Sequence, residues 1–216
     1  MGGCCDRDGY EAMFGDRFAR RVARRYRRHG LDPTRQRLIE FLVDRGIEGA
    51  SVLEIGGGVG EIQVELLRRG AAEVTNLEIS ANYEAEAARL LEQSGLRDRV
   101  SRRFVDIATS PSEVEQADVV VLHRVVCCYP DYQRLLTAAG SHARRLLVFS
   151  HPPRSPVSRV LMGLENLLRR LRRSDFRTFV HPPAAMLATL QAQGLTVAYR
   201  HRGLAWRVVG LERAAA

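Results

Sequence analysis

An apolar run that carries an acid and then breaks into glycines, Ser51-Val-Leu-Glu-Ile-Gly-Gly-Gly-Val-Gly60, constrains this chain more than any other stretch. Val52, Leu53 and Ile55 predict a short buried strand, and Glu61 to Arg69 has the spacing of a helix closed by Gly70. The glycines between them let the backbone bend sharply and approach a ligand where a Cβ would collide. Strand, glycine turn and helix in that order build a nucleotide-type binding site. Glu54, at the strand end just before the turn, repels a pyrophosphate and attracts an ammonium group.

Three kinds of glycine loop share this outline. A phosphate-cradling P-loop needs a lysine after its glycines, and this chain contains no lysine. A dinucleotide fingerprint needs a third small residue for close helix packing, and from Gly56 that position is Glu61, bulky and charged. What remains, Glu54-x-Gly56-x-Gly58-x-Gly60, resembles motif I of the class I S-adenosyl-L-methionine (SAM) methyltransferases. The resemblance implies that Gly56, Gly57, Gly58 and Gly60 lie under the methionine part of SAM, with Glu54 helping to hold its amino group. A glycine turn without a ligand is the plain alternative.

The alternation continues downstream. Glu73 to Leu77 reads as a second strand ending at Glu78, placed to accept hydrogen bonds from ribose hydroxyls, with Ile79 next to it. Val100 to Val105 reads as a third strand followed by Asp106 and Ile107. The resemblance implies that Asp106 meets the exocyclic amine of adenine while Ile107 meets the ring. Glu78 alone also reads as a surface acid after a strand, and Asp106 alone is a weak signal. Three acids at three successive strand ends are a stronger signal, because ligands sit at the C-terminal edge of a parallel sheet. Asp118 to His123 is a nearly unbroken apolar run, as a strand buried on both faces requires. Asp131 caps a helix expected to stop at Gly140, and Arg145 to Ser150 reads as strand five. Leu195 to Tyr199 and Ala205 to Leu211 flank Arg200-His-Arg-Gly203 as a hairpin. The expected fold is α/β and Rossmann-like, the class I methyltransferase architecture: a seven-stranded, mostly parallel sheet, helices on both faces, and a C-terminal antiparallel hairpin.

A chain of 216 residues, 45% hydrophobic, suffices for one domain with a full core. We expect a basic helical lid segment over residues 1–33 and a SAM-dependent methyltransferase domain over 34–216, with a helical insertion at about 155–182. No stretch is apolar and long enough to cross a membrane, and no signal-peptide core opens the chain, so a cytoplasmic location is expected. The cysteines form two adjacent pairs, Cys4-Cys5 and Cys127-Cys128, which match neither a disulfide framework nor a zinc ribbon. No metal site is expected. The latter two read first as small buried residues, and a redox or metal role requires the two pairs to meet.

The net charge of +8 is carried by arginine, concentrated in two segments. Phe14, Phe18, Val22 and Tyr26 fall four apart within an arginine-rich run, and Val157, Val160, Leu161, Leu164, Leu167, Leu168 and Leu171 form a second stripe ending in Arg169-Arg170-Leu171-Arg172-Arg173. Both read as amphipathic helices packed on the sheet. Sharper alternatives are a lid over a large apolar anion, contact with an acidic membrane surface, or RNA binding. The loop after strand four begins His123-Arg124-Val125-Val126 and lacks the acceptor-Pro-Pro-aromatic order of enzymes that methylate exocyclic base amines, so nucleic acid is the second choice of substrate.

Within the methyltransferases the chain resembles the magnesium-protoporphyrin O-methyltransferase-like group. The likeness runs through the basic N-terminal helix, motif I, the Tyr129-Pro130-Asp131 turn and Phe179-Val-His181, and departs from it at the paired cysteines and at Glu54-Ile-Gly-Gly-Gly58. It implies methyl transfer from SAM, leaving S-adenosyl-L-homocysteine (SAH), to a small-molecule acceptor, with oxygen of a carboxylate or hydroxyl on a planar or anionic metabolite as the expected site. An RNA methyltransferase and a SAM-binding regulator without turnover remain as alternatives. A carboxylate acceptor needs positioning, for which Arg124 and Arg154 are candidates. A hydroxyl needs a base, and His123, His151 and His181 are candidates, His123 foremost because its position after strand four faces the cofactor edge. Each also reads as a loop hydrogen-bonder. Tyr129 is expected to orient the acceptor or line its pocket. The oligomeric state is not legible in the sequence.

Overall fold

The structure, a computed structural model, describes residues 7–214, so Cys4 and Cys5 lie outside the described residues. Three helices, α1 (Arg7–Met13), α2 (Asp16–His29) and α3 (Pro33–Asp44), precede β1 (Ser51–Ile55) and α4 (Glu61–Arg68). Then come β2 (Glu73–Glu78), α5 (Glu84–Ser94), β3 (Val100–Phe104), β4 (Ala117–Leu122), α6 (Tyr132–His142) and β5 (Ala143–His151). The chain ends with α7 (Pro156–Leu171), α8 (Pro183–Gln191), β6 (Leu195–Arg202) and β7 (Arg207–Arg213). The seven strands form one sheet in the order β3-β2-β1-β4-β5-β7-β6. The first five are parallel, and β7 inserts antiparallel between β5 and β6. The expected architecture is borne out.

Alternation along the strands sorts the core into two layers. Leu53 and Ile55 of β1 and Val120 and Leu122 of β4 pack with Leu135 and Leu136 of α6 and Met186 and Leu190 of α8. Val52, Val119 and Val121 point the other way, onto Leu38, Ile39 and Leu42 of α3 and Ile62 and Leu66 of α4. β1 and β4 run side by side while their helices lie on opposite faces. The crevice at their C-terminal ends is thus the topological switch point, where open α/β sheets bind ligands.

Two local expectations are corrected. Gly140 does not stop α6; the helix continues to His142. A Cβ at Gly140 would stand 2.9 Å from Gln193 Cγ and 3.2 Å from Leu190 Cδ2, so the glycine is there to let α6 and the end of α8 approach. Arg200, His201 and Arg202 belong to β6, and the turn is carried by residues 203–206. As an edge strand, β6 tolerates charged side chains that an interior strand would not.

The arginine-rich N-terminal segment bends at Gly15, which separates α1 from α2. That break shifts the buried face of α2 to Ala19, Ala23 and Tyr26, leaving Phe18 at the surface, 38% exposed. Ala19 and Ala23 pack on Val59 and Tyr83, so α2 lies across the glycine turn. Within the expected 155–182 insertion, only Pro156–Leu171 is helical, and its stripe faces solvent instead of the sheet.

Candidate active site

The C-terminal ends of four neighbouring strands present Asp106, Glu78, Glu54 and His123 in that spatial order. Glu54 is 2% exposed. Burial and the nearby Glu61 carboxylate push its carboxyl up to about 8, against the pull of Arg102 and Arg35. Its Oε2 accepts from Asn76 Nδ2 at 3.3 Å, and the same amide donates to Gln63 Oε1 at 2.7 Å. Gln63 Nε2 and Asn76 Oδ1 are buried without partners among the described residues. A buried acid with two orphaned amide atoms beside it is a polar pocket that a cationic, hydrogen-bonding group completes.

The glycine turn is shaped around that pocket. Gly57 has no room for a side chain, since a Cβ there would overlap the Asn76 amide and sit 2.8 Å from Glu54 Cδ. Gly60 takes φ +84° at the N-terminus of α4, where a Cβ would overlap the amide of Gln63. Glu78 Oε2 accepts from Gly58 N at 2.9 Å, and Oε1 accepts from Ile79 N at 2.8 Å and Ser80 N at 3.3 Å. Burial raises the Glu78 carboxyl above its ordinary value, while the three N–H donors and Arg102 pull it back. Arg102 on β3 donates to Gly58 O at 2.9 Å and to Glu84 Oε1 at 2.9 Å, fixing the turn from its other side.

Asp106 is tied to the loop after β4. Its Oδ1 accepts from Ala108 N at 2.9 Å and its Oδ2 from the Tyr129 hydroxyl at 2.8 Å. Burial and the hydrogen bond to Asp106 raise the Tyr129 phenol well above its ordinary range, so it is a donor and not a base. Ile107 is buried beneath, in the core layer that holds Leu77 and Leu122.

His123 follows β4 and is 9% exposed. Its Nδ1 lies 3.0 Å from Ser150 Oγ, which also accepts from Arg124 N at 3.0 Å, and its Nε2 is buried without a partner among the described residues. Burial, together with the Arg35 and Arg124 guanidinium groups, holds the imidazole well below its ordinary pKa, so it is neutral near pH 7. Arg124 takes φ +58°, a left-handed conformation uncommon for a side-chain-bearing residue. Its guanidinium lies 4.8 Å from the centre of the Trp206 ring, and NH2 reaches Asp32 Oδ2 at 3.3 Å. Asp32 also caps α3 by accepting from Thr34 N at 3.0 Å and Arg35 N at 3.1 Å, and Arg35 pairs with Glu61 at 2.6 Å.

The other candidates separate from this cluster. His181 Nε2 lies 3.0 Å from Tyr129 O, and His151 Nδ1 lies 2.8 Å from Pro152 O, so both serve as loop hydrogen-bonders. Arg154 is exposed before α7, and no hydrogen bond or ion pair among the described residues ties it to His123, Arg124 or Tyr129. Phe179 N donates to Cys127 O at 2.7 Å, so the Phe179-Val-His181 segment clamps the loop after β4. Cys127 is buried with its Sγ 3.6 Å from that of Cys128; that contact lowers the Cys127 thiol pKa against the opposing effect of burial. Sequence reasoning missed Asn76, Gln63, Arg102, Asp32, Arg35 and Trp206. The one available signal was polar residues interrupting apolar patterns, as at Asn76 and Gln63.

Residues 18–204 match the profile of a family described as a methyltransferase domain. A magnesium-protoporphyrin O-methyltransferase of Rhodobacter capsulatus is 33% identical over 149 residues, covering 68% of this chain and 64% of that protein. A ubiquinone biosynthesis O-methyltransferase of Psychrobacter cryohalolentis is 28% identical over 174 residues, covering 71% of this chain and 67% of that one. The chain thus spans about two thirds of the length of these curated relatives. The crystal structure of magnesium protoporphyrin IX methyltransferase from Synechocystis PCC 6803 with bound SAH superposes with a TM-score of 0.70 at 21% identity, covering 96% of this chain and 94% of that one.

Proposed function

The chain belongs to the methyltransferase domain family, and within it we propose a SAM-dependent O-methyltransferase whose small-molecule acceptor presents a carboxylate on a planar or anionic body. The observation that carries this reading is the row of strand-end groups on one sheet edge, Asp106, Glu78, Glu54 and His123, closed by the glycine turn. In this reading Glu54 takes the amino group of SAM, Gly56 to Gly60 line its methionine part, Glu78 and Ile79 meet the ribose, and Asp106 with Ile107 meets the adenine. The buried carboxyl and the orphaned amide atoms of Gln63 and Asn76 support that fit. When bound, SAM supplies a methyl group on a positively charged sulfur for in-line displacement.

The choice of acceptor follows from proton demand. A hydroxyl acceptor must lose a proton, and His123 would have to take it while buried beside two guanidinium groups, which disfavours an imidazolium. A carboxylate is already ionised and needs only desolvation and orientation. Arg124 supplies the orientation: stacked on Trp206, it exchanges its single 3.3 Å contact with Asp32 for a bidentate contact with the acceptor. Asp32 keeps its two backbone donors and Arg35 when this happens. His123 Nε2 then hydrogen-bonds without changing charge. Tyr129 holds the adenine side of the site through Asp106 and borders the acceptor side through its loop.

The test is methyl transfer from labelled SAM to metabolite fractions from cells, separated into carboxylic acids, phenols and RNA. Label in a base-labile methyl ester is the expected result. Label only in ethers or in RNA would replace the carboxylate reading, and SAM binding without transfer to any fraction would favour a regulatory module.

A further inference from the structure

α7 presents its apolar face to solvent. At 100° per residue, Val157, Val160, Leu161, Leu164, Leu167, Leu168 and Leu171 fall within an arc of about 120°. All are exposed, from 46% at Leu168 to 72% at Leu171. The helix rests on the protein through the opposite face, where Ser158, Met162, Asn166 and Arg169 are half-buried and Asn166 Nδ2 donates to Thr178 O at 2.7 Å. A water-facing stripe of this kind is a docking surface by default.

Three further observations say what it docks on. Arg159 and Arg170 flank one side of the stripe and Arg172 the other, all exposed, and the acid on the helix, Glu165, is paired with Arg169 at 3.1 Å. Leu204, wholly exposed at the tip of the β6–β7 hairpin, lies at the same C-terminal sheet edge, because His151 at the end of β5 pairs with Arg207. The segment after α7 meets α1 and the bend between α1 and α2 through Phe176, whose ring centre is 5.6 Å from that of Tyr10 and 5.2 Å from that of Phe14, and Phe14 in turn lies 5.5 Å from Phe18 of α2. α2 in turn carries Arg17, Arg20, Arg21, Arg24, Arg25, Arg27 and Arg28, all exposed. Apolar and cationic surfaces therefore share one end of the molecule, the combination that binds an anionic bilayer interface.

We propose that α7 and the Leu204 tip dock on an anionic lipid bilayer, the leucine stripe entering the interfacial layer while the arginines beside it meet lipid phosphates. The proposal holds whatever the methyl acceptor is, and SAM titration of the same samples reports separately on the cofactor site.

The experiment is flotation of the full chain with phosphatidylcholine vesicles that contain or lack phosphatidylglycerol. Wild-type protein is expected to float with the anionic vesicles and to be released by salt. The variant Leu161→Gln/Leu164→Gln/Leu168→Gln is expected to remain unbound while keeping its SAM affinity, each leucine contributing about tenfold or more. Arg170→Ala and Arg172→Ala are each expected to weaken binding about fivefold. Failure to float with anionic vesicles overturns the proposal, as does flotation that survives the leucine substitutions. A wild-type dimer in sedimentation that the leucine variant dissociates would assign the stripe to a second copy of the chain. Loss of vesicle binding on saturation with SAH would assign it to an internal lid. Either result overturns the bilayer.

Discussion

Glu54 on β1 and Asn76 on β2 are register partners, and the Asn76 amide donates to the Glu54 carboxylate at 3.3 Å. The contact places a neutral hydrogen-bonding group beside an acid whose pKa is pushed up to about 8, and among the described residues that acid forms no ion pair.

Cofactor affinity is therefore expected to depend on pH. Below pH 8 the free protein holds Glu54 protonated; in the proposed function Glu54 pairs with the ammonium group of SAM as a carboxylate, so binding is expected to release a proton. The apparent affinity for SAM should rise by up to about tenfold per pH unit towards pH 8 and level off above it. Glu54→Gln should bind more weakly, without proton release, in isothermal titration across buffers of different ionisation enthalpy. The raised folded-state pKa also means that the stability Glu54 contributes is full below about 4.5 and lost as pH rises towards 8. The unliganded Glu54→Gln protein should thus be the more stable of the two at pH 8.

Gly57→Ala is expected to destabilise the protein by about 1–3 kcal/mol and to raise the SAM dissociation constant, because the added methyl overlaps the Asn76 amide. Urea denaturation and titration of the same sample separate the two effects. Wild-type values for both would remove the turn from the site.

His123 has a lowered folded-state pKa, so the native state resists protonation that the unfolded chain accepts below pH 6.5. Acidification below that value costs native stability, at up to about 1.4 kcal/mol per pH unit, until the folded pKa is reached. His123→Gln should flatten part of the acid-side slope in denaturation midpoints. His151 and His181, also lowered by burial, keep the remainder.

Tyr129→Phe deletes the hydroxyl that donates to Asp106. The expected cost is about 1 kcal/mol in SAM binding, with turnover at saturating cofactor largely kept, because the phenol is not the base. A collapse of kcat at unchanged SAM affinity would move Tyr129 into the chemical step.

Arg124→Lys retains the charge and loses the planar fork and the stacking on Trp206. The acceptor KM should rise about tenfold or more, with SAM affinity unchanged. Equal weakening of both would show that Arg124 supports the fold of the loop.

The strand-end acids were legible because each closes an apolar run, and a run's end is a local property of sequence. Asn76 and Gln63 were not, since their meeting depends on how β2 lies beside β1 and α4 above both. Asp32 and Arg35 reach Arg124 and Glu61 from a helix far away in sequence, through tertiary packing alone. Periodicity announced the stripes of α2 and α7 without their direction. Gly15 turned the first, so that Ala19 and Ala23 are buried where Phe18 was expected, and α7 turned its stripe outward.

α1 is fastened to both halves of the sheet. The Tyr10 hydroxyl donates to Cys128 O in the loop after β4, and Asn82 Nδ2 after β2 donates to Glu11 O at 3.0 Å. One short helix thus works as a clasp whose two hooks sit on either side of the switch point. The two hooks hold the loops after β2 and β4 against the same short helix, so the two sides of the switch point are tied to each other by a segment that precedes the whole sheet in sequence.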